Sequence, residues 1–335
     1  MIKKELYGAL NGANIFKYTI VGEIIVSIID FGARIVSLLV PDKSGKLFDV
    51  ALKESVEGFL TSGNYMGATI GRCANRIGEG GFEIDGNSYK IRHKENAAHL
   101  HGGENGFDKK QFKVSAVSEN ALTMTYFSPD GEEGYPGNLD FSVTFTVKNK
   151  SLVIEYRAVC DKDTVFNPTN HTYFNLNGES DGSILDNVIS LNADSYLPTN
   201  KLLLPTGEVK SVEGTPFDFR KEKPIGRDID SGDADLLIAG GYDHNFCLDK
   251  EHFATAYSSK TGIKMDAYTD REGVQFYTGN FLKASGNCVY DSRAGFCLET
   301  QFYPDAIHHP EWKSPILKKN EKFYSKTEYR FSLKE

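Results

Sequence analysis

The feature that most constrains this fold is a two-residue alternation of apolar and polar side chains that recurs along the chain. Between Leu139 and Val147, every second residue is apolar, so an extended strand there would bury one face. Similar segments, separated by short turns rich in Gly, Asn and Asp, lie at residues 16–21, 24–30, 34–40, 82–91, 112–118, 122–127, 152–159, 184–191, 245–248, 253–257, 263–269, 274–278, 295–301 and 323–333. Evenly spaced strands of this kind predict an all-β protein.

We expect these strands to form one large antiparallel β-sandwich with little helix, the one short helix being predicted at residues 56–62. The 335 residues allow one large β domain or two ordinary ones. Because no repeat, linker or low-complexity tract interrupts the strands, a single domain spanning residues 1–335 is favoured. Two polar loops stand out: residues 128–138, which could overhang a cleft, and residues 192–227, which should wrap the sheet edge.

Charge and composition argue against several classes of partner. The net charge of -8 is mild and spread along the chain, so no nucleic acid partner is expected. No apolar run approaches the roughly 18 residues of a membrane span, and no apolar stretch follows Lys3 and Lys4 as in a secretory signal. The five cysteines are scattered without a C-x-x-C pair, which favours reduced thiols in a cytoplasmic enzyme.

An unusual histidine and an unusual glutamate point to chemistry. His171 lies among three asparagines, two threonines and a proline, just before an alternation at residues 173–176 that predicts a short strand with one buried face. Glu299 lies inside the otherwise apolar strand predicted at 295–301. A buried histidine held by neighbouring amides is an equally good interpretation of the first segment alone. Together, the two residues suggest acid/base catalysis.

The segment around His99 and His101 raises the question of a metal. If extended, its two-residue spacing would place both imidazoles on one face, as in half of a metal site. No second half with suitable spacing occurs in the sequence, so we predict no metal. The better interpretation is that one histidine faces a ligand, while Gly102 and Gly103 allow the backbone to approach closely.

Further polar residues suit a neutral polyhydroxylated ligand. Asn75 and Arg76 offer hydrogen-bond donors, although two surface arginines beside a hairpin would be the simpler interpretation of Arg72 and Arg76 alone. Asp243, just before a strand, could accept hydrogen bonds from hydroxyls, and Gln275 adds an amide. No P-loop, dinucleotide fingerprint or H-E-x-x-H motif is present, so no cofactor is expected.

Two other motifs are given no catalytic role. The G-x-S-x-G match at residues 178–182 is interpreted as a surface loop, because a turn precedes it and a β-like stretch follows. His308 and His309 precede a proline and lie near Trp312, which favours a structural loop.

The order of these motifs resembles the aldose 1-epimerase family, the galactose mutarotases. From about residue 65 to residue 306 the chain carries, in order, NRI, LHGG, GFD, NHTYFNL, YDHNF, QFYTGN and ETQFYPDA. The resemblance implies the family's β-supersandwich. It also implies an isomerase of hexose metabolism that interconverts the α and β anomers of free hexoses such as galactose and glucose, without a cofactor.

The resemblance also implies a role for each matching residue. His171 would be the general acid that protonates the ring oxygen, and Glu299 the general base that deprotonates the anomeric hydroxyl. The positions expected to bind the sugar are Asn75, Arg76, His101, Asp243 and Gln275.

Three alternatives remain at this point. A non-catalytic sugar-binding β-sandwich would not need His171 and Glu299 together. A relative acting on phosphorylated hexoses would want more basic residues at the pocket than Arg72 and Arg76. A glycosidase would need two carboxylates facing each other, for which Asp243 and Glu299 are the candidates. The expected partner is an aldohexose, and a monomer or weak homodimer is expected.

Overall fold

The structure, a computed structural model, describes residues 2–91, 98–286 and 288–334. In this part of the chain, the α-helices are Gly58–Thr61 and Ala234–Ala239, and the 3-10 helices are Phe107–Lys109, Glu132–Gly134, Ile225–Arg227 and Ala306–His308. Almost all other regular structure is β-strand, which confirms the all-β prediction. None of the described helices has the length and apolar character needed to cross a membrane.

The largest sheet has nine strands and is antiparallel. Their spatial order is Lys113–Val117, Ala121–Ser128, Leu139–Lys148, Ser151–Cys160, Phe323–Leu333, Ile263–Thr269, His252–Tyr257, Val188–Leu191 and Lys223–Pro224. In the strand Leu139–Lys148 the odd-numbered residues are buried and the even-numbered ones are wholly or partly exposed, as the alternation predicts. This nine-stranded sheet therefore has one core face and one outer face.

Two five-stranded sheets pack with it. The N-terminal sheet has the order Ile2–Leu10, Ala13–Val21, Ile25–Ile29, Arg34–Pro41 and Leu47–Asp49. The other, which we call the inner sheet, has the order Lys210–Ser211, Ser195–Leu197, Asp243–Cys247, Gly273–Tyr277 and Cys297–Gln301. Every residue of its last three strands is buried, so these strands are covered on both faces.

Four short antiparallel pairs bring distant segments of the chain together. They are Thr69–Ile70 with Thr169–Asn170, Arg76–Ile77 with His99–Leu100, Gly81–Ile84 with Asn87–Lys90, and Thr164–Val165 with Ile316–Leu317. The hairpin predicted at 82–91 turns at Asp85 and Gly86, which both have positive φ. The first two pairs matter most, because they bring the segments of Asn75, His101 and His171 to one place.

One buried apolar cluster contains side chains from all three large sheets. Val26 of the N-terminal sheet, Phe141 of the nine-stranded sheet and Phe276 of the inner sheet belong to it, and each is at most 2% exposed. The three large sheets are thus joined through one continuous core.

The structure departs from the sequence predictions in four places. Residues 173–176 are not a strand with one buried face, because all of residues 164–178 are buried and Phe174 makes only isolated bridges. The strand predicted at 184–191 starts only at Val188. The strand Ile2–Leu10 and the helix Ala234–Ala239 were not predicted, since the former is a polar edge strand without the apolar alternation.

Candidate active site

His171 and Glu299 meet although 127 residues separate them in the sequence. Glu299 lies on Cys297–Gln301, the edge strand of the inner sheet, directly opposite Gln275. His171 immediately follows the short strand Thr169–Asn170, whose partner is Thr69–Ile70. Its Nε2 lies 3.6 Å from Oε1 of Glu299. The two groups can therefore face the same ligand.

Burial sets the protonation of this pair. His171 is 3% exposed and Glu299 is 2% exposed. Desolvation lowers the pKa of His171 to about 3 and, reinforced by the charge of Asp243, raises the pKa of Glu299 well above its usual range. Arg76 opposes the shift at Glu299. Burial therefore favours a neutral pair, with the shared proton on the carboxyl.

His101 reaches the same place through an unusual backbone conformation. Its φ is 52°, so the segment is not extended and the two histidines do not share a face. The ring of His99 contacts the hydroxyl of Tyr135 at 2.8 Å. The ring of His101 lies 5.1 Å from that of His171, centroid to centroid. A Cβ at Gly102 would clash with the carbonyl oxygen of Gly71, which explains the glycine.

A backbone contact fixes the tautomer of His101. The backbone N–H of Asn75 donates to the ring Nδ1 of His101 at 3.2 Å. In return, the backbone N–H of His101 donates to the backbone carbonyl of Asn75 at 2.9 Å. Because Nδ1 must offer its lone pair, the neutral ring carries its proton on Nε2. Burial lowers the pKa of His101 well below its usual value, so the ring is a neutral hydrogen-bond donor.

The same contact bears on metal binding. His101, His171 and Glu299 each offer one possible ligand atom, and these atoms lie within 4.8 Å of one another. A histidine binds a metal through a free lone pair. Since Nδ1 of His101 is engaged and its Nε2 is protonated, this set suits hydrogen bonding to a ligand better than coordination of an ion.

The two arginines of the segment 71–76 have different tasks. Arg72 is 2% exposed, and its guanidinium donates to the backbone carbonyls of residues 128, 129, 136 and 137 and to the hydroxyl of Ser128, at 2.8–2.9 Å. It therefore anchors the loop 128–138, which does not line the cleft described below. Arg76 lines that cleft and forms no ion pair with carboxylates in the described ranges.

Asp243 and Gln275 lie on neighbouring strands of the inner sheet. The side-chain amide of Gln275 donates to Oδ1 of Asp243 at 2.7 Å. Asp243 lines the cleft, whereas Gln275 is not among its lining residues. The amide of Gln275 therefore holds one oxygen of the Asp243 carboxylate.

The cleft itself has about 470 Å³ of empty space, including its open mouth. Six of the seven predicted site residues line it, namely Asn75, Arg76, His101, His171, Asp243 and Glu299. Sequence reasoning missed the remaining lining residues, which are Gly63, Asn64, Tyr65, Leu100, Tyr173, Tyr277 and Phe281. Tyr173 and Tyr277 lie within recognised motifs, but Tyr65 and Phe281 carry no signal of their own.

The motifs to which no role was given lie elsewhere. His308 contacts Oδ1 of Asp305 at 2.7 Å, and the ring of His309 stacks on Trp312 at 4.1 Å. Residues 178–182 form a mostly exposed turn. These positions agree with the structural roles predicted for them. All five cysteines are free and buried.

Comparison with known proteins then settles the family. Residues 18–330 match the family described as aldose 1-epimerase. The chain is 39% identical to the galactose mutarotase of Homo sapiens over 344 residues, which covers 99% of both chains. The chain belongs to the aldose 1-epimerase family. The resemblance inferred from the seven sequence motifs is thereby confirmed.

Other members of the aldose 1-epimerase family agree over the full length. The chain is 38% identical to the aldose 1-epimerase of Haemophilus influenzae over 343 residues, covering 99% of this chain and all of the relative. It superposes on the crystal structure of galactose 1-epimerase from Lactobacillus acidophilus with a TM-score of 0.89, at 27% identity and with 100% and 99% of the two chains covered. The predicted supersandwich architecture is therefore confirmed.

Proposed function

We propose that this protein is a cofactor-independent aldose 1-epimerase that interconverts the α and β anomers of free hexoses such as galactose and glucose. The observation that carries this proposal is the buried pair of His171 and Glu299, whose proton-exchanging atoms lie 3.6 Å apart in the cleft. Oε2 of Glu299 is buried and has no hydrogen-bond partner among the described residues, as expected of a group that awaits a ligand hydroxyl.

Mutarotation needs two proton transfers at one end of the sugar. Glu299, as general base, takes the proton from the hydroxyl on C1 while His171, as general acid, protonates the ring oxygen O5. The C1–O5 bond breaks and an aldehyde forms. Rotation about C1–C2 turns over the carbonyl face, and the reverse transfers close the ring as the other anomer.

The shifted pKa values fit this cycle. After ring opening, His171 is neutral and Glu299 is protonated, which is the arrangement that burial favours. For ring opening, the proton must first pass to His171, and Arg76 favours the resulting carboxylate. Because the pair holds one mobile proton in both states, each residue serves as acid in one half of the cycle and as base in the other.

The remaining polar residues bind and orient the sugar. The Nε2–H of His101 and the guanidinium of Arg76 are placed to stabilise negative charge that develops on O1. Asp243 accepts hydrogen bonds from sugar hydroxyls, and Gln275 keeps its carboxylate in place. Asn75 lines the cleft and offers its side-chain amide to the sugar.

The alternative functions fit less well. A phosphorylated hexose would bring a dianion into the cleft. The described lining has one cationic side chain, Arg76, and two carboxyl groups, because the guanidinium of Arg72 is hydrogen-bonded to the loop 128–138 instead. A glycosidase built on Asp243 and Glu299 would leave His171 without a task. A non-catalytic binding protein would have no use for a buried acid/base pair.

We also propose a small-molecule partner and a reducing compartment. The partner is a single small aldohexose, with no nucleic acid or membrane, and the protein acts as a monomer or weak homodimer. The free, buried thiols support a reducing compartment such as the cytoplasm.

Polarimetry tests the proposed function. Freshly dissolved α-galactose and α-glucose should reach equilibrium rotation much faster with the enzyme than without it, and equally fast after dialysis against EDTA. α-Galactose 6-phosphate under the same conditions should react far more slowly. Relaxation no faster than the buffer blank for both free sugars would refute the proposal, and recovery of activity only on adding zinc would refute its metal independence.

A further inference from the structure

A cysteine contacts the ring of His171 at the nitrogen that does not face Glu299. Sγ of Cys297 lies 3.5 Å from Nδ1 of His171, and Cys297 is completely buried. Cys297 and Glu299 are two residues apart on one strand, so their side chains point to the same side of the inner sheet. One strand thus contacts both ring nitrogens, through Sγ at Nδ1 and through Oε1 at Nε2.

The proposed chemistry makes a demand on this ring. If His171 gives up and takes back its proton through Nε2, the neutral ring must keep its other proton on Nδ1. Otherwise Nε2 is already protonated when it should act as the acceptor. Which nitrogen carries the proton is decided by the hydrogen bond that the other nitrogen makes, as Asn75 decides it for His101.

We propose that Cys297 is a positioning residue whose Sγ accepts a hydrogen bond from Nδ1–H of His171 and thereby keeps Nε2 free to exchange protons with the sugar. This inference rests on the proposed function of the site. The two histidines of the cleft then hold their protons on opposite nitrogens: His101 is a fixed donor through Nε2–H, and His171 is a proton carrier.

A thiol suits this task for an electrostatic reason. Burial raises the pKa of Cys297 well above its usual range, so the sulfur stays neutral. A carboxylate at the same place would also fix the tautomer, but its charge would stabilise the imidazolium and raise the pKa of His171. A neutral sulfur acceptor fixes the tautomer and leaves the ring weakly basic, in keeping with a pKa of about 3.

The test compares Cys297→Ala, which removes the acceptor, with Cys297→Ser, which keeps one. The matched control is Cys288→Ala, since Cys288 belongs to the same buried cluster but directs its Sγ to the carbonyl of Tyr290. Two quantities are measured: kcat and KM for α-galactose by polarimetry, and the tautomer of His171 from ¹⁵N shifts of histidine-labelled protein without sugar. The His171→Asn spectrum assigns the signals.

We expect Nδ1–H in the wild type and in Cys297→Ser. In Cys297→Ala the Nδ1–H tautomer loses its sulfur acceptor, so we expect a larger share of Nε2–H. Cys297→Ala should lose kcat roughly 3- to 10-fold, about what one neutral hydrogen bond contributes, with little change in KM. Cys297→Ser should recover most of kcat, and Cys288→Ala should match the wild type.

The inference is overturned if Cys297→Ala keeps the wild-type tautomer and kcat. Equal losses in Cys297→Ala, Cys297→Ser and Cys288→Ala would also overturn it, because they would indicate a packing effect. Because the NMR experiment needs no sugar, it separates this inference from the proposed function. A wild-type protein without mutarotase activity would refute the proposed function even if its His171 were Nδ1–H.

Discussion

At the residue scale, burial decides what His171 and Glu299 can do. The side chains lie in the interior of the protein, so neither charge is well solvated. A histidine with a pKa of about 3 beside a carboxyl with a raised pKa holds one proton between two groups over a wide pH range. The pair takes up a second proton only near the low pKa of His171. It loses the shared proton only above the raised pKa of Glu299.

A pH profile follows from these directions. On the acid side, kcat/KM for mutarotation should not fall at pH 6.5, where an ordinary histidine would titrate, but only towards about pH 3. Polarimetric rates between pH 4 and pH 9, corrected for buffer catalysis, measure this profile. A half-maximal loss on lowering the pH through 6.5, in a folded protein, would contradict the assigned environment of His171.

Asp243 and Gln275 allow direct binding to be separated from support. Asp243→Ala should cost about 1.5–3 kcal/mol in kcat/KM, mainly through KM, because a charged hydrogen bond to the sugar is lost. Gln275→Ala should cost less and should have almost no further effect in the Asp243→Ala background, since it acts through Asp243. Steady-state kinetics of the four proteins of this cycle measure the coupling. Additive losses would mean that Gln275 contacts the sugar itself, and unchanged kinetics of Asp243→Ala would remove Asp243 from the site.

At the scale of elements, short strand pairs carry the site. The pairing of Arg76–Ile77 with His99–Leu100 brings the backbone of Asn75 against the ring of His101. In the same segment, Arg72 donates hydrogen bonds to carbonyls of the loop 128–138, whereas Arg76 lines the cleft. Two arginines four residues apart therefore differ completely in function.

Replacing each arginine by lysine should show this difference. Arg72→Lys should lower the free energy of unfolding by roughly 3 kcal/mol or more, because a lysine cannot satisfy the buried carbonyls that the guanidinium fork serves. Arg76→Lys should leave stability within about 0.5 kcal/mol of wild type and lower kcat/KM. Thermal melts and kinetics of both variants measure the two effects. A stable Arg72→Lys protein would contradict the anchoring role of Arg72.

The same elements show how far the sequence could predict the site. The residue types and motifs identified His171, Glu299 and Asp243, and the two-residue alternation predicted the buried face of the strand Leu139–Lys148. The tautomer of His101 could not be predicted, because it depends on a backbone N–H from a distant strand pair. The burial of residues 164–178 was not predicted because this segment is rich in Asn and Thr, which are mostly exposed unless the fold supplies hydrogen-bond partners.

At the scale of the whole molecule, the continuous core suggests one cooperative unit. Side chains of all three large sheets belong to one buried cluster, and the inner sheet is covered on both faces. We therefore propose that residues 1–335 form a single domain. Calorimetry should show one unfolding transition whose calorimetric and van't Hoff enthalpies agree. Two separate transitions would contradict the single domain.

The central claim is that one buried proton, shared by His171 and Glu299, drives mutarotation. The most direct measurement is the polarimetric kcat of His171→Asn, Glu299→Gln and the double variant, with thermal melts at neutral pH to show that each is folded. Either single change should lower kcat by roughly 10²–10⁴, and the double variant should be far less impaired than the product of the two losses, because the residues act as a unit. A folded His171→Asn protein with near-normal kcat would contradict the account.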